Sequence, residues 1–304
     1  MRIITDNTNF TNEYFTSDLV WKKYITTNPI MMNLERFITG DIYETEIEND
    51  FWTMLIAVKQ SAESQYDQLI KAAQESIALP DKLLLIADTG EKFHGLRNRQ
   101  WEAMSGNIHL SIFLSPKRAI DNFGAAVMAL PSLSIIEALN CIDNIKQKPQ
   151  IKWVNDIFVG NNKLAGTLAH TQQQGAMLSS IIYGIGLNAK KAPNIEFTVS
   201  VPGTTSLLEI VDNQQSYSQS IVFKQLLSFL QKNIELLYDN KSTEIIEEYK
   251  KHSMIIGRKV RIYDHTKPDE PEICSGVVDR IGNHLELYIN GIEKPVIKGR
   301  LMLL

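Results

Sequence analysis

Cysteine is nearly absent from this 304-residue chain: Cys141 and Cys274 lie far apart and show no metal-ligand spacing. That excludes a disulfide framework and points to a reducing compartment. An excess of one charge is also lacking. Lys and Arg total 31 against 35 Asp and Glu, a formal net charge of -4, so no general attraction to nucleic acid is expected, though a local basic site is compatible. No apolar run approaches the roughly 20 residues of a membrane span. The first residues, Met1-Arg2-Ile3-Ile4-Thr5-Asp6, turn polar at once and lack the apolar core of a secretory leader, so a cytoplasmic location is expected. There is no internal repeat or low-complexity tract. A phosphate loop of the Lys-Ser/Thr type and a Gly-x-Ser-x-Gly elbow are both missing. His94, His109 and His170 have no mutual spacing that suggests a metal and read as structural or solvated.

What is present is an ordinary globular composition, 44% hydrophobic and 22% charged, long enough for one sizeable core and a small second unit. Residues 1–50 mix aromatics with Asn, Thr and Asp. Their fold is left open, with one or two helices expected around Trp21 and Phe37. They carry neither the basic face nor the compact helix-turn-helix pattern of a DNA-binding module. From Phe51 the pattern alternates. Strands are expected at Met54–Val58, Leu83–Ala87, Ile108–Leu114 and Ala176–Leu187, and helices at Tyr66–Ala78 and Ala125–Leu139. Asp88 to Lys92 reads as loop. Phe223, Leu226, Leu227, Leu230, Ile234 and Leu237 recur at helical spacing, giving an amphipathic helix over Ser220–Tyr238, with another over Thr243–Lys251. Short strands follow at Lys259–Tyr263, Ile273–Asp279, His284–Ile289 and Pro295–Ile297, the spacing of a small β-barrel or sandwich. The expected fold is α+β: a mixed or antiparallel sheet with helices over 51–252, and a small C-terminal β domain over 253–304.

Three constellations carry chemistry. Residues 152–168 read Lys-Trp-Val-Asn-Asp-Ile-Phe-Val-Gly-Asn-Asn-Lys-Leu-Ala-Gly-Thr-Leu. Ile157–Val159 and Leu164–Leu168 form a hairpin about the turn Gly160-Asn161-Asn162. The hairpin presents Asn155 and Asp156 at one end and Lys163 just past its tip. A lysine beside the strand glycine Gly166 suits an anion, because a ligand can lie against bare backbone there. Upstream, His94-Gly95-Leu96-Arg97-Asn98-Arg99-Gln100-Trp101 leads into Ser105-Gly106-Asn107. Its arginine forks match phosphate or carboxylate oxygens. Downstream, Gly184-Ile185-Gly186-Leu187-Asn188 allows close backbone approach at a strand end.

The order and spacing of these motifs resemble the biotin–protein ligase family, within the wider biotin/lipoate ligase superfamily, from about Phe51 to the C-terminus. The family's Lys-Trp-Pro-Asn-Asp falls on Lys152, Trp153, Val154, Asn155 and Asp156. Its Lys-x-x-Gly-x-Leu falls on Lys163, Gly166 and Leu168, and its Gly-x-Gly-x-Asn on Gly184, Gly186 and Asn188. Its arginine-rich loop before Trp is matched at Gly95, Arg99 and Trp101. The arginine five places before Trp is Leu96 here, with Arg97 beside it. The family's Ser-Thr-Asn is missing, and Ser61-Ala62-Glu63-Ser64 lies in its region. The resemblance implies a mixed-sheet catalytic domain followed by an SH3-like β domain.

The resemblance also implies ATP-dependent formation of biotinyl-adenylate, with Mg²⁺ accompanying ATP, and transfer of biotin to a lysine of a carboxylase carrier domain. It gives catalytic roles to Lys163, Asp156, Arg97 and Arg99. Substrate contacts fall to Gly95, Trp101, Gly106, Asn107, Lys152, Trp153, Asn155, Gly166, Leu168, Gly184, Gly186 and Asn188, and no protein side chain is assigned to a metal. Membrane and DNA partners are not expected, and a homodimer is compatible with the reading. The competing expectations are a lipoate or octanoate ligase of the same fold, and a biotin-binding protein weakened in catalysis by its altered arginine loop.

Overall fold

The computed structural model describes the chain except residues 16–18, 27, 97–98, 195–202, 215–216, 265, 267–268 and 270. In the opening fifty residues, β1 (Arg2–Thr5), α1 (Thr8–Asn12), β2 (Lys22–Lys23), α2 (Pro29–Met32), a 3₁₀ turn at Asn33–Phe37 and β3 (Tyr43–Glu46) follow in order. The turn covers Phe37, but Trp21 is not helical: β1 and β3 instead join the main sheet, and β2 pairs along β3. Then come β4 (Met54–Ser61), α3 (Gln65–Gln74), β5 (Leu83–Gly90), β6 (Ile108–Leu114), α4 (Phe123–Asn140), β7 (Gln150–Lys152), β8 (Asp156–Val159), β9 (Asn162–Gln174) and β10 (Met177–Leu187). A short β11 (Gly203–Thr204), α5 (Leu207–Ile210), α6 (Gln219–Tyr238) and α7 (Ser242–Lys251) complete the larger part. The last segment holds β12 (Lys259–Tyr263), β13 (Glu272–Ile281), β14 (Leu287–Ile289) and β15 (Arg300–Leu303).

The described strands form an 11-stranded sheet, in the order β2-β3-β1-β4-β5-β6-β10-β9-β8-β7 with β11 beside β9, and a separate four-stranded sheet, β14-β13-β12-β15. In the large sheet β4 is parallel to β1 and β5 and β11 is parallel to β9, while the other pairs are antiparallel. This is the expected mixed α+β fold with a small C-terminal β unit. Two details differ from the sequence reading. Asp88–Gly90 continues β5 rather than forming a loop. In the small unit the last strand lies at Arg300–Leu303, whereas Val296 makes only an isolated bridge to Leu287.

Both faces of the sheet are covered, which is why β4, β5 and β6 read as nearly continuous apolar runs rather than alternating ones. On one face pack α4, α6 and α7, with Leu130, Leu133, Phe223, Leu230 and Tyr249 in the core. By length and composition α4 could cross a membrane, but 72% of it is buried inside the protein. On the other face α3 lays Leu69 and Ala72 over Leu83, Leu85, Phe113 and Ile182. The N-terminus of α3 is capped by Ser64, whose side chain accepts from the Asp67 amide at 3.4 Å. Past that end of α3, large residues give way to glycines, and the cleft described next opens on this face.

Candidate functional site

Register places one row of residues across the sheet: Ala87 on β5, His109 on β6, Gly186 on β10, Gly166 on β9 and Asp156 on β8 are successive partners. Directly paired residues project to the same face, so this row has a histidine toward one end, a carboxylate at the other and two bare glycines between. A cleft of about 190 Å³ lies over it. The glycines are there because something already occupies the space a Cβ would take. A Cβ on Gly186 would come 2.5 Å from Cε2 of Trp101, whose indole lies against that backbone. A Cβ on Gly166 would meet Lys163 Nζ at 3.2 Å and Asp156 Oδ1 at 3.4 Å. In the next row Tyr66 leans on Gly184.

Lys163 reaches this face through a bulge. Gly166 is three residues on from Lys163, and simple alternation would put the two on opposite faces. The ladder shifts between Ile157 and Phe158, so that Ala165 pairs with Ile157 while Lys163 pairs with Phe158. The extra residue, Leu164, is wholly buried, and the slip turns Lys163 toward Asp156 and Gly166. Lys163 Nζ then sits 2.7 Å from Asp156 Oδ1. Its backbone is pinned as well. Thr204 pairs with it, and the Thr205 amide donates to its carbonyl at 3.0 Å. The next residue, Ser206, begins α5 with a capping box closed by Glu209. Asn155 anchors the start of β8: its amide donates to the Thr167 carbonyl at 2.6 Å, and its own carbonyl accepts from the Thr167 amide at 2.9 Å.

Four cations and one carboxylate line the cleft among the described residues: Arg99, Lys152, Lys163 and Arg300 against Asp156. Burial pulls the Lys152 pKa below its usual value. Asp156 opposes that shift, while Lys163, Arg300 and Arg99 add to it by repulsion. A chain with net negative charge thus concentrates positive charge in one partly buried pocket, which suits an anionic ligand. Arg300 comes from the small β unit, which also meets the site where Trp153 Nε1 donates to the Leu285 carbonyl at 2.7 Å. The peptide between Trp153 and Val154 is cis.

The two described flanks of the arginine-containing segment pair with each other. His94 bridges Gln100, the Gly95 amide donates to the Arg99 carbonyl at 2.7 Å, and the Trp101 amide donates to the Phe93 carbonyl at 2.9 Å. His94 fastens it to α3 through Asp67, with Nε2 2.7 Å from Oδ2. Burial works against charging His94, but the Gly95 carbonyl and the Asp67 carboxylate outweigh it and raise its pKa.

The structure therefore brings together Gly95, Arg99, Trp101, Lys152, Trp153, Asn155, Asp156, Lys163, Gly166, Leu168, Gly184 and Gly186 in one lining. Arg97 lies outside the described residues. Gly106, Asn107 and Asn188 do not line the cleft. The Gly106 amide donates to Asp88 at 2.9 Å. Asn107 is buried, its oxygen accepting from the amides of Lys190 and Lys191 at 3.1 and 3.0 Å. Asn188 ties the bulge to α5, its amide N–H donating to Leu164 at 3.0 Å and its carbonyl accepting from Leu207 at 2.9 Å. Sequence reasoning missed Ser64, Tyr66, Phe93, His94, His109, Ser111 and Arg300, which also line the cleft. For His109 and Ser111 a signal existed: they are the polar residues at period two in Ile108-His-Leu-Ser-Ile-Phe-Leu.

Comparison with known proteins follows the same outline. The sequence profile of the biotin/lipoate A/B protein ligase family matches residues 70–188. A biotin--[acetyl-CoA-carboxylase] ligase of Mycobacterium tuberculosis is 28% identical over 219 residues, covering 69% of this chain and 75% of that protein. The bifunctional ligase/repressor BirA of Bacillus subtilis is 28% identical over 120 residues, which span 38% of this chain and only 35% of BirA. The biotin protein ligase of Aquifex aeolicus, solved with biotin and ATP, superposes with a TM-score of 0.62 over 82% of this chain and 97% of its own at 21% identity, and so shares the fold.

Proposed function

We propose that this chain, which belongs to the biotin/lipoate A/B protein ligase family, is a biotin–protein ligase that activates biotin with ATP and transfers it to a lysine of a carboxylase carrier domain. The observation that carries the reading is the glycine-floored trough with Lys163 held over one end. Two anions, a carboxylate and a triphosphate, must approach each other before they can react, and that requires fixed cations in a sheltered site.

The first step forms an oxygen–phosphorus bond from the biotin carboxylate to the α-phosphate and breaks the bond to pyrophosphate. Lys163 exchanges its pairing with Asp156 for the incoming oxygens. Lys152, Arg99 and Arg300 supply further positive charge, and Trp101 covers the product against water. In the second step a carrier lysine attacks the acyl carbon and AMP leaves. An ordinary lysine, with pKa about 10.4, is under about 1% neutral at pH 7. Asp156, released by Lys163, orients the amine and takes its proton. Gly106, Asn107 and Asn188 support the pocket from outside its lining.

Among the described residues no group of three His, Cys, Asp or Glu side chains is placed to hold a metal ion. A resident metal does not fit this donor set, and Mg²⁺ enters with ATP as part of that substrate. We place the reaction in the cytoplasm and take residues 51–252, with β1 and β3 extending their sheet, as the catalytic unit and 253–304 as its β cap. The test is incubation with ATP, Mg²⁺, biotin and a purified carrier domain, read by intact mass. A carrier heavier by one biotinyl group is expected. ATP–pyrophosphate exchange driven by lipoate or octanoate but not by biotin would replace this reading with the sister activity.

A further inference from the structure

The row across the floor holds a histidine for which the chemistry above has no use. His109 is 2% exposed. Its Nδ1 lies 3.2 Å from the Ala87 carbonyl oxygen. A carbonyl only accepts, so Nδ1 carries the proton and Nε2, across the ring, is an acceptor. That Nε2 is buried without a hydrogen-bond partner among the described residues, and the residue lines the cleft. Burial is the main influence on its pKa, drawing it down to about 4 against the Ala87 carbonyl and Asp88. The ring is therefore neutral near pH 7. Buried polar atoms are normally satisfied, and an orphan acceptor in a pocket wall calls for a donor brought by a ligand.

The surroundings define that ligand's far end. Phe93 stands edge-on to the His109 ring at 5.7 Å between centroids, and Ser64, Tyr66 and Ser111 line the same cleft. The alternatives for hydrogen bonding nearby are partly taken: Ser61 Oγ donates to the Glu63 carbonyl at 2.7 Å, and Ser64 caps α3. From β6 to β8 the row crosses three interstrand spacings, about 14 Å. An acid whose carboxylate sits at Lys163 therefore points its other end along the glycines toward His109.

We propose that His109 Nε2 accepts a hydrogen bond from a ring N–H of the bound acid, and so selects a cyclic urea acid over one whose far end is hydrocarbon or disulfide. The inference rests on the biotin-ligase reading and names a residue for its specificity. ATP–pyrophosphate exchange by the full chain tests it with biotin, with biotin methylated at both ureido nitrogens, and with lipoate. For the wild type, methylation should lower kcat/KM by about 10- to 100-fold, the range for stranding a buried acceptor. His109→Phe, which keeps a flat ring but removes the acceptor, should lower kcat/KM for biotin by the same factor, mostly through KM, and His109→Gln, whose amide oxygen can accept, should recover part of it.

Methylated biotin used as well as biotin overturns the proposal with no variant needed, whether or not His109→Phe folds. A folded His109→Phe with wild-type KM for biotin overturns it as well. Wild-type exchange with lipoate and none with biotin removes the biotin reading and this inference together. Biotin exchange that ignores His109 removes the inference alone.

Discussion

Gly166→Ala separates stability from activity. The residue is not in the left-handed region, so alanine is free to adopt its backbone, and losing glycine's freedom in the unfolded chain favours folding by about 0.4–1 kcal/mol. The added Cβ would lie 3.2 Å from Lys163 Nζ, 3.3 Å from its Cε and 3.4 Å from Asp156 Oδ1. These are the far ends of flexible side chains, so they yield by a few tenths of an ångström and the strand does not. The fold therefore loses little or gains slightly. The site loses more, because the methyl fills the trough where the acid must pass and pushes the ammonium from its position. The acid, riding over a methyl instead of bare backbone, is lifted by about 1 Å, and a misplacement of that size at a reacting group costs on the order of 10²-fold in rate. Urea unfolding should show a midpoint equal to or above wild type, while biotin-dependent ATP–pyrophosphate exchange falls about 100-fold. Exchange within about threefold of wild type in a normally folded variant would mean that the acid does not lie over Gly166, and the trough would lose its assigned use.

Other perturbations test separate links. Lys163→Ala should lower exchange by about 10²–10³, the range for removing one fixed donor from a developing charge; a wild-type rate would end its assigned role. His94 binds its proton more tightly folded than unfolded, because its pKa is raised above 6.5. Its stabilisation is therefore complete below that value and is lost as pH rises through the folded pKa. Asp67 is half exposed, so the difference between wild type and His94→Gln in urea should be below about 1 kcal/mol near pH 5.5 and gone near pH 9; a gap that grows with pH contradicts the pairing. Trp153→Phe strands the Leu285 carbonyl and should destabilise the chain by about 1–2 kcal/mol; unchanged urea midpoints would show that this bond does not help hold the small unit.

Elements with a clear period were legible in the sequence. The Phe223–Leu237 spacing gave α6 within a residue or so, and the apolar runs gave β4, β5 and β6, because burial on a face or stripe leaves a direct mark on composition. The opening fifty residues were not legible. β1 is only four residues long and earns its place by parallel pairing with β4, a partner some fifty positions away that local propensity cannot name. The last strand was missed for a similar reason: β15 is a short edge partner of β12, and Gly299 before it reads as turn.

Most of the site was legible as a set of residues, yet not as a geometry. Lys163 could be named from its hairpin, but its facing depends on one slipped residue. Counting by twos from Asp156 through the turn places Lys163 opposite Val159 and on the wrong face. Leu164 as the extra residue of a bulge reverses that, and no residue type in Asn-Lys-Leu-Ala-Gly announces it. What holds the slip is remote in sequence: Asn188 donates to the Leu164 carbonyl and the Thr205 amide to that of Lys163, both at 3.0 Å. This also explains why Asn188 stood out in the sequence while lying, like the Thr204–Ser206 turn, outside the cleft lining. They fix the register that aims Lys163, so the motif is partly a record of how the cation is held rather than of what the ligand touches.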